Sequence, residues 1–159
     1  MRMLMPGLRF RQQADQLLAL FFHEHRSGAF RRALGMLSRF YRLPAPRVQW
    51  FEYLDWGKTA GRTYENGRIH LVHPENWKNG RKYNSERQWI HTVYHEVGHY
   101  VLWSDPEWKA DTFAYRFVRG ISPRSAGQTH QTGKASRARR KASLRRSGPR
   151  RRRPRSRYR

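Results

Sequence analysis

His95-Glu96-Val97-Gly98-His99 is the stretch of this chain whose residue types and spacing are best suited to chemistry. Histidines four positions apart lie about one helical turn from each other on one face, so both imidazoles can reach a single metal ion. Zinc accepts neutral imidazole at about 2.0–2.1 Å and favours four-coordinate geometry. Glu96, next round the helix, is placed to act on water at the ion rather than to bind the ion. The ion brings the pKa of such a water towards ~7, and a carboxylate base takes its proton as it attacks a carbonyl. The expected cofactor is therefore Zn2+, with His95 and His99 as ligands and Glu96 as the catalytic base.

A catalytic zinc site needs a third protein ligand and leaves its fourth position to water. Glu107-Trp108-Lys109-Ala110-Asp111 offers two carboxylates a short way downstream. If the helices on either side of Asp105 form a tight antiparallel pair, the residue level with His99 is Asp111. Spacing alone leaves Glu107 and Asp111 both open.

These two segments together resemble the gluzincin metallopeptidases, in which a helix bearing His-Glu-x-x-His is followed by one bearing Glu-x-x-x-Asp. Among compact members the chain is most similar to the SprT-like and ImmA/IrrE-like domains. The similarity includes a strand ahead of the active-site helix, Gly67-Arg68-Ile69-His70-Leu71, and the element Ala110-Asp111-Thr112-Phe113-Ala114. It spans roughly Arg47 to Arg119. The resemblance implies a zinc-dependent endopeptidase acting on a protein or peptide, with Glu107 as third ligand and Asp111 hydrogen-bonded to a ligand histidine, a support that metal-bound imidazole generally requires.

Peptide hydrolysis also needs a donor to the developing oxyanion, and His91, Tyr115 and Arg116 are candidates by position. Arg68 to Val72 is the strand nearest the site in sequence, and an exposed edge there could take an extended peptide. Trp89, Trp103 and Trp108 flank the two site helices, as cleft walls or as core.

The elements that must hold these groups can be traced from the apolar pattern. Leu17, Leu18, Phe21 and Phe22 recur at helical spacing between Arg11 and about His25, and Gly28 is expected to break this helix. A second helix is expected from about Phe30 to Tyr41, stopped by Leu43-Pro44-Ala45-Pro46. Val48 to Leu54, Thr59 to Tyr64 and Arg68 to Val72 read as strands, the last two joined by a hairpin at Asn66-Gly67. Pro74 to Lys82 reads as a polar loop. The site helix is expected from Ser85, as its cap, to about Trp103, with Ile90, Val93, Val97, Tyr100 and Val101 on the side away from the histidines. A fourth helix follows Pro106 and runs to about Arg119. The expected fold is α+β: two N-terminal helices, a small antiparallel or mixed three-stranded sheet, then the active-site helix and the ligand helix.

Charge divides the chain unevenly. It has 159 residues, 34 Lys+Arg against 11 Asp+Glu, and a formal charge of +23. Residues 122–159 hold 15 of the bases and no acid. We therefore expect a metallopeptidase domain over 1–121 and a disordered arginine-rich tail over 122–159. Arg139, Arg140, Lys141, Arg145, Arg146, Arg150, Arg151, Arg152 and Arg153 are the residues expected to meet DNA or RNA phosphates, electrostatically and without base preference. The chain has no cysteine, which excludes disulfides, a thiol nucleophile and a cysteine zinc ribbon. The longest apolar run, Leu17 to Phe22, is too short for a membrane span or a signal-peptide core. A soluble intracellular protein, cytoplasmic or associated with nucleic acid, is the expectation. The rival reading is a non-enzymatic nucleic-acid-binding protein whose metal site is structural or vestigial.

Overall fold

A computed structural model describes residues 3–57, 59–79, 85–103 and 106–121. The expected tail lies outside them. The order of elements is α1 (Leu8–Glu24), α2 (Ser27–Tyr41), β1 (Arg47–Phe51), a 3-10 turn (Asp55–Gly57), β2 (Gly61–Thr63), β3 (Arg68–Val72), α3 (Pro74–Asn79), α4 (Glu86–Leu102) and α5 (Glu107–Val118). The fold is α+β with a mixed sheet ordered β1-β3-β2, in which β1 runs parallel and β2 antiparallel to β3.

Apolar residues converge from every layer on Trp89. Its ring lies 5.8 Å from Phe21 and 5.6 Å from Phe22 of α1, and 6.3 Å from Phe30 of α2. Its indole N–H donates to the Val72 carbonyl of β3 at 3.1 Å. Ile69, Leu71, Ile90, Val93, Val97, Phe113 and Phe117 fill the same core. Each such side chain contributes roughly 1.5–3 kcal/mol by leaving water. Ile90, Val93, Val97 and Tyr100 of α4 are buried and Val101 is half-buried, on the side expected from their period.

Three expectations about the elements are corrected. The break between the first helices falls at His25, in the left-handed conformation (φ 55°), and Gly28 lies inside the first turn of α2. Glycine costs a helix roughly 0.5–1 kcal/mol in backbone entropy, which the packing of Phe30, Leu34 and Leu37 outweighs. The expected loop after Pro74 opens with a short helix: Pro74 suits a first turn, and Trp77 is buried with its indole N–H donating to the Ser85 carbonyl at 3.0 Å. The strand expected to offer an edge, Arg68 to Val72, is the central strand and is paired on both sides. The edge on the α4 side is β2.

Arg11 ties the two ends of the fold together. One guanidinium nitrogen, Nη1, donates to the carbonyls of Arg116, Phe117 and Arg119 at 2.8, 3.0 and 2.7 Å, satisfying the C-terminal end of α5. The first helix begins at Leu8, three residues earlier than its apolar period suggests, and Arg11 sits in that first turn.

Candidate metal centre

α4 is set up by Ser85, whose hydroxyl accepts from the Gln88 N–H at 3.4 Å at the N-terminus. From that start His91, His95 and His99 fall along one stripe, each about one turn from the next. α5 packs very closely across α4. A Cβ at Gly98 would lie 3.1 Å from Phe113 Cβ and 3.2 Å from Ala110 Cα, so a small residue is needed at the crossing. This approach carries Glu107 and Asp111 to the histidines.

Three donor atoms meet at one point. His95 Nε2 and His99 Nε2 are 3.1 Å apart, and Glu107 Oε2 lies 3.0 Å from the first and 3.6 Å from the second. Four ligands at zinc distances in a tetrahedron are separated by about 3.3 Å. The triangle formed by these atoms has edges of that size, so two imidazoles and a carboxylate here could hold a divalent cation. Asp111 takes the other side of the His95 ring: its Oδ1 is 2.8 Å from His95 Nδ1. With Nδ1–H donating to Asp111, His95 Nε2 presents a lone pair to the cluster. Glu107 thus stands with both histidines and Asp111 stands behind one of them, the two carboxylates that spacing alone could not rank.

Glu96 is buried, 5% exposed, at the floor of the cleft. Burial pushes its carboxyl up from the usual range, opposed by the Thr63 hydrogen bond and by His95 and His99, while Glu107 adds to the rise. The Thr63 hydroxyl lies 2.7 Å from Glu96 Oε2 and 2.9 Å from the Glu96 carbonyl oxygen, so β2 is fastened to Glu96. Gly61, two residues earlier on the same face, allows this contact. A Cβ there would fall 2.6 Å from Glu96 Cγ and 2.8 Å from Oε1. Sequence reasoning missed both residues. A glycine inside a short strand was the available signal, since it often marks close approach of another group.

The cleft has a volume of about 1060 Å³ and runs between β2 and the two site helices. His91 lines it, with its imidazole held below the usual range by burial and by neighbouring His95, and Asp111 opposing. Trp103 lines it too and is 67% exposed. Trp89 is core, and Trp108 is exposed outside the cleft lining. Tyr115 and Arg116, the other two candidate oxyanion donors, are not brought to the cleft. They are exposed and outside the lining, because Tyr115 stands about 12 Å along the helix axis from Glu107. The basic residues Arg139 to Arg153 lie outside the described residues. No described helix is long and apolar enough to cross a membrane.

Compared with known proteins, the chain matches no family model, no curated protein and no solved structure.

Proposed function

We propose that the chain is a zinc-dependent endopeptidase. The observation that carries this reading is the convergence of His95 Nε2, His99 Nε2 and Glu107 Oε2 within 4.8 Å of one another, beside a buried carboxylate that is not one of them. Three protein donors plus a nearby base is the pattern of a catalytic site, whereas structural zinc normally takes four protein ligands. A zinc ion bound there would supply Lewis-acid polarisation of a scissile carbonyl and a lowered pKa for attacking water.

The chain's own groups account for the remaining steps. Glu96 accepts the proton of the attacking water and returns it to the departing amine. Thr63 and Gly61 hold Glu96 in one position, which preserves the alignment on which proton transfer depends. His91, facing the cleft, donates to the oxyanion. The edge of β2 offers backbone N–H and C=O groups to an extended peptide laid along the cleft. The arginine-rich segment 122–159 holds the enzyme near nucleic acid.

The same charge supports the rival, a nucleic-acid-binding protein with a structural ion. Glu96→Gln separates the two. The peptidase reading expects the variant to keep its ion and its fold and to lose hydrolysis by about 10²–10⁴-fold, the span of general-base effects. Unchanged hydrolysis would contradict the role given to Glu96. An ion whose removal unfolds the domain, with no hydrolysis in the unmodified chain, would favour the rival.

A further inference from the structure

β2 separates two surfaces. Gly61 and Thr63 face Glu96, and Arg62 and Tyr64, which alternate with them, stand at the rim of the cleft, Tyr64 reaching across the sheet to His70. Arg62 is in register with His70 of the central strand, and His70 with Gln49 of β1. Ile69 and Leu71 point into the core, so His70 belongs to the outer side of the sheet. On that side the His70 ring lies 4.6 Å from Phe51 and 4.6 Å from Tyr64, a row of three rings across the sheet. Arg68, two residues before His70, and its partner Arg47 extend the same face.

Such a surface is unusual for a sheet side that faces solvent. Tyr64 is 39% exposed, and Phe51 and His70 are only partly covered. Burial holds the His70 imidazole below its usual range, and both Arg68 and Arg62 add to that, as expected where positive charges crowd one ring. Asp55 binds Arg62 at 2.5 Å, but no described carboxylate pairs with Arg47 or Arg68. Beside Asp55, Trp56 is 87% exposed and stacked on Tyr53 at 6.5 Å.

We propose that the outer face of the sheet is a binding platform for single-stranded nucleic acid, with unpaired bases on the Phe51, His70 and Tyr64 rings and backbone phosphates on Arg47 and Arg68. Rings give every base a stacking partner irrespective of sequence, and guanidinium groups neutralise the backbone that joins them. A duplex offers no unstacked base to the rings, and an acidic peptide would use the arginines and leave the aromatic row without a role. The platform does not depend on the peptidase reading. Because β2 carries both surfaces, a strand bound here would run along the rim of the cleft.

The test uses the full chain with oligothymidylate, oligouridylate and a duplex of matched length. Ultraviolet crosslinking followed by peptide mapping should place adducts at Phe51, His70 or Tyr64. A Phe51→Leu/Tyr64→Leu variant should lose about tenfold in single-strand affinity, with duplex affinity and melting temperature unchanged. Arg47→Gln/Arg68→Gln should lower the slope of log affinity against log salt by about 1.4 for single strands. Glu96→Gln should bind as the unmodified chain does. A preference between the thymidylate and uridylate arms assigns the platform to DNA or to RNA. Adducts confined to residues 122–159, unchanged single-strand affinity in the ring variant, or stronger competition by an acidic peptide than by oligothymidylate would overturn the proposal. Should a variant fail to fold, the crosslinks on the unmodified chain decide alone.

Discussion

Trp89, Ile90, Val93 and Val97 leave α4 on one side and pack into the apolar core, while His95 and His99 leave it on the other and meet the carboxylates of Glu107 and Asp111. The two faces answer to different physics. On the apolar face, stability is the sum of many small contacts, and any residue of suitable volume fits at modest cost. On the histidine face a few atoms must sit at defined separations, and a shift of one donor would spoil the set. Glu96 stands at the border, buried like the first face and polar like the second, and β2 is the element that holds it there.

Substitutions on each face should therefore be read out differently. The largest effect on folding is expected from Ile90→Ala. Ile90 is fully buried, and its truncation should cost about 2–5 kcal/mol in denaturant unfolding. At temperatures where the variant remains folded, its ion content should equal that of the unmodified chain. A loss of ion binding in the folded variant would mean that the two faces are more tightly coupled than their contacts indicate.

Thr63→Val tests the border. It removes the hydroxyl that lies 2.7 Å from Glu96 Oε2 and preserves the shape of the side chain. Hydrolysis should fall about tenfold, equivalent to ~1.4 kcal/mol, while ion content stays the same. Wild-type rates would show that the surrounding packing holds Glu96 without help.

The smallest change is expected from Tyr94→Phe. The Tyr94 hydroxyl is buried and has no hydrogen-bond partner among the described residues. Removing it should leave stability unchanged or raise it by up to about 1 kcal/mol in a thermal unfolding series. A clear loss would reveal a polar contact, for instance to the nearby Asp15–Arg87 pair, whose N···O distance is 2.9 Å.

Much of this architecture is legible in the amino-acid order, for identifiable reasons. α1, α2 and α4 announce themselves because one stripe of each is apolar, α5 by the proline at its start, and Asn66-Gly67 marks the hairpin between β2 and β3. The His95–His99 pair needs only helical geometry. What cannot be read locally depends on pairing between distant segments. Whether Glu107 or Asp111 meets the histidines is decided by where α5 crosses α4, and that crossing is set by the contact of Gly98 with Ala110 and Phe113. The central position of β3 follows from β1 pairing in parallel across a long connection, which no local pattern reports. α3 has only six residues, too few for an apolar period, and is held by one buried tryptophan.

The donor triangle and the place of Asp111 are tested together by metal content. Elemental analysis of the purified chain should find one divalent ion per chain, kept in Glu96→Gln and lost in His95→Ala and Glu107→Ala. In Asp111→Ala, ion affinity should weaken by about 10–100-fold without vanishing. A chain without a stoichiometric ion, or one that keeps it in Glu107→Ala and loses it entirely in Asp111→Ala, would contradict the account.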